Sequence, residues 1–312
     1  MEPAVSIVTP LHNKGLYIKE TIHSVLSQTM ENLELLVVEN HSSDCGPEIV
    51  AACAERDSRV RLILAPSEVR GPGAARNCGL AEARGEWILF LDADDLLEPD
   101  YLERRLSVLN SYPDAKIIAG PWKNFYPEAP DVFETHFPNG WKPPFGPPPD
   151  SIYAYSPWAL HAAVLRRDAL GSPKPWLEEL DGLPAEDNTF WFRVLYGQTI
   201  YWSESAGALY RKQTENSRDA SGSVVGKAFE ATCAMLNANR KYLESRGAKI
   251  SPQMAAFAVR VLKKLFYQTS HLDLQNRRRA LNEIQKHLAQ AARSNWRIIA
   301  LRIYFKFLLK II

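Results

Sequence analysis

The chain reads as an α/β fold built on a parallel sheet, followed by a C-terminal helical region. Three observations carry this. Short apolar runs alternate with segments of helical spacing over the first hundred or so residues. An acidic cluster, Asp92-Ala93-Asp94-Asp95, ends the apolar run Trp87-Ile88-Leu89-Phe90-Leu91. From about Val224 onward the spacing is helical throughout.

The elements follow in order. Val5-Ser6-Ile7-Val8 predicts a first strand that Pro10 ends. Residues 14–29 carry Leu16, Ile18, Ile22, Val25 and Leu26 at helical spacing. Strands are expected at 33–38, 60–64, 87–91 and 115–119, and helices at 46–56, 73–83 and 100–109. Alternation with short links predicts a parallel sheet covered by helices on both faces. Residues 138–150 hold six prolines, which excludes a regular helix or central strand, so 121–157 is expected to be a long loop beside the site. A short helix at 185–196 and short strands at 199–202 and 208–210 come next. Helices are then expected at 224–246, 252–270, 277–292 and 295–312.

With 312 residues, 46% hydrophobic and 23% charged, the composition is that of a globular protein of one large or two smaller domains. Cys45, Cys53, Cys78 and Cys233 have no metal spacing or disulfide framework. Met1-Glu2-Pro3 is followed by no basic, apolar leader, so a reducing, cytoplasmic setting is expected. The formal net charge of +1 hides an asymmetry: residues 1–239 balance to −12 and residues 240–312 to +13. An acidic body with a basic tail suggests two tasks for two regions.

Ligands of open α/β sheets bind beyond the carboxyl ends of the strands. Four segments fall there: Thr9-Pro10-Leu11-His12-Asn13, Glu39-Asn40-His41-Ser42-Ser43-Asp44, the stretch from Gly71 to Gly79, and the Asp92 cluster. Three carboxylates within four residues repel one another unless a positive charge sits among them, and a divalent cation is the usual answer. A solvated acidic turn capping the next helix is the plainer alternative.

The strings VSIVTPLHN, LELLVVENHSSD and GPGAARNCGLAEARGEWILFLDADD resemble family 2 glycosyltransferases of the GT-A fold, over roughly residues 4–215. The resemblance implies a Rossmann-like nucleotide-diphospho-sugar transferase domain at 1–220, with a nucleotide-binding part (1–120) and an acceptor part (121–220). Residues 221–312 would form the helical region. It implies an inverting, metal-dependent transfer of a sugar from a nucleotide diphosphate donor, uridine by default, to a glycan or lipid-linked acceptor in polysaccharide or glycolipid biosynthesis.

Carried over position by position, Asp94 matches the metal-binding aspartate of the DXD motif. Asp92 matches its partner at the ribose or metal shell, with Ala93 between them. Oxygen ligands favour Mn²⁺ or Mg²⁺. Arg76 matches a position near the nucleotide, and Pro10, His12, Asn13, Glu39 and Asn40 match nucleotide-pocket positions. Glu39 stands where the family usually has aspartate, and His41 where glycine is usual, a backbone position expected to strain a side chain. Asp187 matches the catalytic base of the E-D motif, with Glu186 toward the acceptor; both could instead serve as first-turn caps. Gln213 stands where a metal-binding histidine is usual, so it is a weaker metal ligand, or Arg211 and Lys212 supply part of the positive charge. Trp158 lies where an acceptor sugar could stack, or else packs in the core.

The tail, WRIIALRIYFKFLLKII from Trp296 to Ile312, spaces Arg302, Lys306 and Lys310 four apart. Four basic residues at about +3 kcal/mol each outweigh a dozen apolar ones at about −0.5, which argues against a transmembrane span. An amphipathic helix on an anionic, cytosolic membrane face fits better, with packing on the body or on a second subunit as the alternative. Nucleic acid is not expected as a partner, and a homo-oligomer is left open. Two other functions compete: nucleotidyl transfer, which shares metal–carboxylate chemistry, and a catalytically silent sugar-nucleotide-binding subunit.

Overall fold

The computed structural model describes residues 2–126, 128–137, 147–183, 186–212 and 224–268, together with Asn282. The expected helices at 277–292 and 295–312, and Gln213, lie outside the described residues. Two compact units result: Met1–Pro148, Trp158–Asp181 and Val194–Ser217 form one, and Pro149–Pro157, Gly182–Arg193 and Arg218–Ile312 the other.

The first unit is built on β1 (Val5–Leu11), β2 (Leu33–Glu39), β3 (Val60–Leu64) and β4 (Trp87–Phe90), paired in parallel. These alternate with α1 (Ile18–Leu26), α2 (Gly46–Ala54) and α3 (Pro72–Glu82). The apolar runs of β1, β2 and β4 are buried almost without interruption, as expected of strands covered on both faces. Helix α3 crosses β1 and β2 closely: a Cβ on Gly79 would lie 2.5 Å from Val8 and 2.8 Å from Val38. Only glycine allows that approach.

The rest of this unit departs from the expected all-parallel sheet. After β5 (Leu96–Leu97) and α4 (Tyr101–Leu106) come β6 (Ile117–Ala119), β7 (Trp122–Tyr126), β8 (Ala129–His136) and β9 (Ala163–Arg166). The strands β10 (Tyr201–Trp202) and β11 (Ala208–Arg211) follow later. The main sheet has the order β10-β6-β9-β4-β1-β2-β3, and β9 runs antiparallel to both its neighbours. It is therefore mixed. Three apolar residues and an arginine are too few to declare a strand before the sheet supplies two partners for it.

A second sheet, β5-β11-β7-β8, joins β11, where a strand was expected, to β7 and β8, which lie in the expected loop 121–157. Strands β7 and β8 pair antiparallel across 122–136, with Trp122 stacked on His136 and Asn124 bonded to His136 Nε2 at 2.8 Å. The six prolines that suggested a loop, at 138–150, lie beyond this hairpin, and Pro130 lies in the edge strand β8, where a missing N–H is tolerated. Likewise β1 continues through Pro10 to Leu11, because β4 pairs with it only as far as Val8.

The second unit contains the start of α5 (Glu186–Leu195), α6 (Val224–Ser245) and α7 (Pro252–Gln268). Buried amides bind it together: Asn239 Nδ2 donates to Tyr153 O and Asn188 Oδ1, both at 3.0 Å, and Asn188 Nδ2 to Ile152 O at 3.1 Å. Phe192 packs between Tyr153 and Tyr242. The segment bearing Glu186 and Asp187 thus groups by contact with the C-terminal helices. Among the described residues, no helix is long and apolar enough to cross a membrane.

Candidate active site

The acidic cluster leaves β4 as a tight turn, closed by Asp95 N donating to Asp92 O at 3.1 Å. Two elements pin it: Thr21 of α1 donates to Ala93 O at 3.0 Å, and Arg211 of β11 donates through Nε to Asp94 O at 2.8 Å. Its three carboxylates have different surroundings. Asp92 is 33% exposed and accepts from Arg76 Nη2 at 2.6 Å. Asp94 is 16% exposed and lies 2.6 Å from Lys14 Nζ. Asp95 is buried, accepts from Arg211 N at 2.8 Å, and lies 3.2 Å from His161 Nδ1. Burial pushes the Asp95 carboxyl well above the usual range, with Asp94 and Asp92 adding to the effect. Burial also pushes His161 down, to about 4. One cause underlies both shifts: neither charge has water to solvate it.

The positive charge expected among the carboxylates is thus supplied by side chains of the protein. Among the described residues, no three or more His, Cys, Asp or Glu side chains gather into a metal cage. Two partly exposed carboxylates still suit a hard divalent ion of the Mg²⁺ or Mn²⁺ kind, which is often held by one or two carboxylates plus substrate phosphates. The donor set fits an ion that arrives with its substrate.

Beside this turn, the loops after β1 and β2 are stitched together. His12 Nδ1 donates to Asn40 O at 2.8 Å, leaving Nε2 to accept from Asn13 Nδ2 at 3.3 Å. Asn13 Oδ1 accepts from Ser43 N at 2.8 Å, and Asp44 accepts from Gly15 N at 2.7 Å. Glu39 accepts from Ser42 N, so its carboxylate already shapes the loop. The concern about His41 has a structural answer. Its φ is 60°, as a glycine position would demand, and its Nε2 donates to Val69 O at 3.0 Å. Histidine is among the residues that tolerate this region, and the bond offsets part of the cost.

Helix α3 carries Arg76 and is strapped by residues 176–181. Asn77 Nδ2 donates to Trp176 O and Glu178 Oε1, both at 3.0 Å, while Trp176 N donates to Asn77 Oδ1 at 3.1 Å. Asp181 accepts from Gly73 N and Ala74 N, both at 2.7 Å, placing a carboxylate at the positive end of the helix. It comes so close that a Cβ on Gly73 would lie 2.4 Å from its oxygen; Gly71, at φ 91°, is excluded from bearing one as well. The Arg76 guanidinium is 3% exposed and lies 4.4 Å from the Trp176 ring, so its aim at Asp92 is fixed by packing. Asn40, buried, donates to Gly71 O at 3.0 Å and joins this helix to the β2 loop.

Considered within its own unit, α5 opens with Glu186 and Asp187. Glu186 is buried and accepts from Gly182 N in the preceding turn at 3.3 Å; Asp187 is half-buried. Trp158, in the first unit, is 3% exposed, which suits packing rather than an open stacking face.

Sequence reasoning missed Lys14, His161, Trp176 and Asp181. Lys14 directly follows a motif residue, and that adjacency could have drawn attention to it. Nothing local marks the other three, which come from segments 66 to 108 residues away in sequence from their partners.

Comparison with known proteins places these features. The succinoglycan biosynthesis protein ExoO of Rhizobium meliloti is 44% identical over 104 residues, 33% of this chain and 29% of that protein. The aligned stretch therefore spans well under two thirds of such curated relatives, 33% and 42% for two further ones. Among solved structures, S. aureus TarS 1–349 in complex with UDP superposes with a TM-score of 0.63 at 20% identity, covering 98% of this chain and 86% of that one. The mannosyltransferase PcManGT of Pyrobaculum calidifontis, in complex with GDP-Man and Mn²⁺, gives 0.54 at 18% identity, covering 99% and 84%. These two likenesses show the GT-A fold. The family model for glycosyl transferase family 2 matches residues 6–165, just over half of the 312 residues, and the chain belongs to that family.

Proposed function

We propose that this chain is an inverting, nucleotide-sugar-dependent glycosyltransferase that uses a divalent ion. The observation that carries the proposal is the turn after β4. There Asp92 and Asp94 stay partly exposed and each faces a cation, Arg76 and Lys14, within the stretch matched to the family. The diphosphate leaving group gains negative charge as the glycosidic bond breaks. Asp92 and Asp94 would hold a Mn²⁺ or Mg²⁺ ion, which when bound neutralises that charge. Arg76, locked on Trp176, adds a fixed positive charge that needs no reorganisation.

The β1 and β2 loops form the nucleotide side. Glu39 and Asn40 line it with His12 and Asn13, and uridine is the base proposed. A UDP complex of TarS, a protein of the same fold, is compatible with that choice. Asp187 acts as the base. It takes the proton from the acceptor hydroxyl as that oxygen attacks the anomeric carbon from the face opposite the leaving diphosphate, giving inversion. Glu186 is assigned to orienting the acceptor-side turn. The acceptor is a glycan or lipid-linked precursor, and the basic tail 295–312 would hold the enzyme at the cytosolic face of an anionic membrane.

Thermal-shift measurements across UDP-, GDP- and TDP-sugars, with and without Mn²⁺, test the donor assignment, followed by release of nucleoside diphosphate. Stabilisation by a UDP-sugar only in the presence of Mn²⁺ is expected. Equal response to all three bases removes the uridine assignment, and no response with or without Mn²⁺ removes the proposal. Removing 295–312 is expected to abolish sedimentation with phosphatidylglycerol vesicles; retained sedimentation would refute the role of the tail.

A further inference from the structure

Three cations grip the acidic turn, and they differ in how firmly they are held. Arg76 is buried against Trp176. Arg211 is fixed from four sides: it donates to Asp94 O and to Glu20 Oε2, at 2.8 and 2.7 Å, and lies 5.1 Å from the Tyr17 ring and 4.7 Å from the Phe125 ring. Lys14 differs. It follows the left-handed Asn13, and its main-chain carbonyl opens α1 by accepting from Tyr17 N and Ile18 N, at 3.0 and 2.9 Å. Its side chain alone reaches the turn, passing 5.6 Å from the Tyr17 ring, and it is as exposed as Asp94, at 16%. A compact ammonium on a four-carbon stem can change partners without any backbone movement.

We propose that Lys14 is an exchangeable counter-charge for Asp94. It stands in for the divalent ion until the ion arrives with the nucleotide, and then transfers its ammonium to a diphosphate oxygen. The inference rests on the assignment of Asp94 to the ion. Its physical basis is competition: ammonium and divalent ion both seek the Asp94 oxygens, and at 2.6 Å the ammonium holds one of them in direct contact. An ion arriving alone must displace Lys14 and leave it facing a new positive charge. When a diphosphate arrives with the ion, the displaced ammonium gains an anionic partner. Ion and nucleotide are therefore coupled through one side chain, and each strengthens the binding of the other.

The two ligands should respond to loss of Lys14 in opposite directions, which a merely structural residue would not produce. Free Mn²⁺ is followed by electron paramagnetic resonance in the full-length protein without nucleotide, and UDP binding by calorimetry at saturating Mn²⁺. Lys14→Met is expected to bind Mn²⁺ alone about tenfold more tightly and UDP about tenfold more weakly. Lys14→Gln, equally neutral, should reproduce both shifts, and unchanged melting of either variant guards against misfolding. Unchanged or weaker Mn²⁺ affinity in both variants overturns the inference while the ion site stands. If the wild-type protein takes up no Mn²⁺ even with UDP, the ion site and the inference fall together.

Discussion

Two acidic stretches, one of three carboxylates and one of two, are built differently. The Asp92–Asp95 turn belongs to the first unit and is surrounded by cations: Arg76 on Asp92, Lys14 on Asp94, and Arg211 along the backbone of the turn. Glu186 and Asp187 belong to the second unit, where Glu186 is buried and bonded to the preceding turn and Asp187 is half-buried at a helix start. The first arrangement sets Asp92 and Asp94, partly exposed, each against a cation. The second places its carboxylates in the first turn of a helix, where the positive end of the dipole favours negative charge. The difference teaches that residue type names the candidates, while partners and burial assign the work.

The largest expected effect tests the second region. Asp187→Asn should lower kcat by about 10²–10⁴-fold while UDP affinity stays within about twofold. A matching loss of UDP affinity would make both regions binding sites and erase the distinction. Asp94→Asn should weaken UDP binding in Mn²⁺ on the order of a hundredfold, with little change in Mn²⁺-free binding. If its effect falls on kcat alone, the turn is catalytic rather than a binding element. Asp95→Ala sharpens the comparison from inside the turn. It leaves Arg211 N without its buried acceptor and removes the carboxyl beside His161, and should cost about 2 kcal/mol of stability. Urea unfolding measures this, and an unchanged midpoint would show that the buried carboxyl does not brace the turn.

The sequence made much of the first region legible. Strands β1, β2 and β4 and helix α1 are visible because full burial demands continuous apolar runs and amphipathic helices demand a period of 3.6; β3, with only Val60 buried, and the small-residue α3 follow from the alternation of elements. The acidic turn was visible for the same reason, since charge directly after a buried strand is conspicuous. Strand β9 and the β7–β8 hairpin were not. Ala163–Arg166 has four residues and two antiparallel partners distant in sequence, and prolines interrupt the hairpin stretch. His41 looked like a strained substitution until its ring was seen to reach Val69 O.

What the amino-acid order determined by itself was local: which runs bury, which turns carry charge, and which motif residues stand at strand ends. Only the tertiary structure decided which charges meet. Lys14 reaches Asp94 across 80 positions, Asp181 caps α3 from 108 positions beyond Gly73, and His161 is buried against Asp95. Periodicity is a property of neighbours along the chain, whereas an ion pair depends on distance and on the water excluded around it. Packing sets both of those quantities.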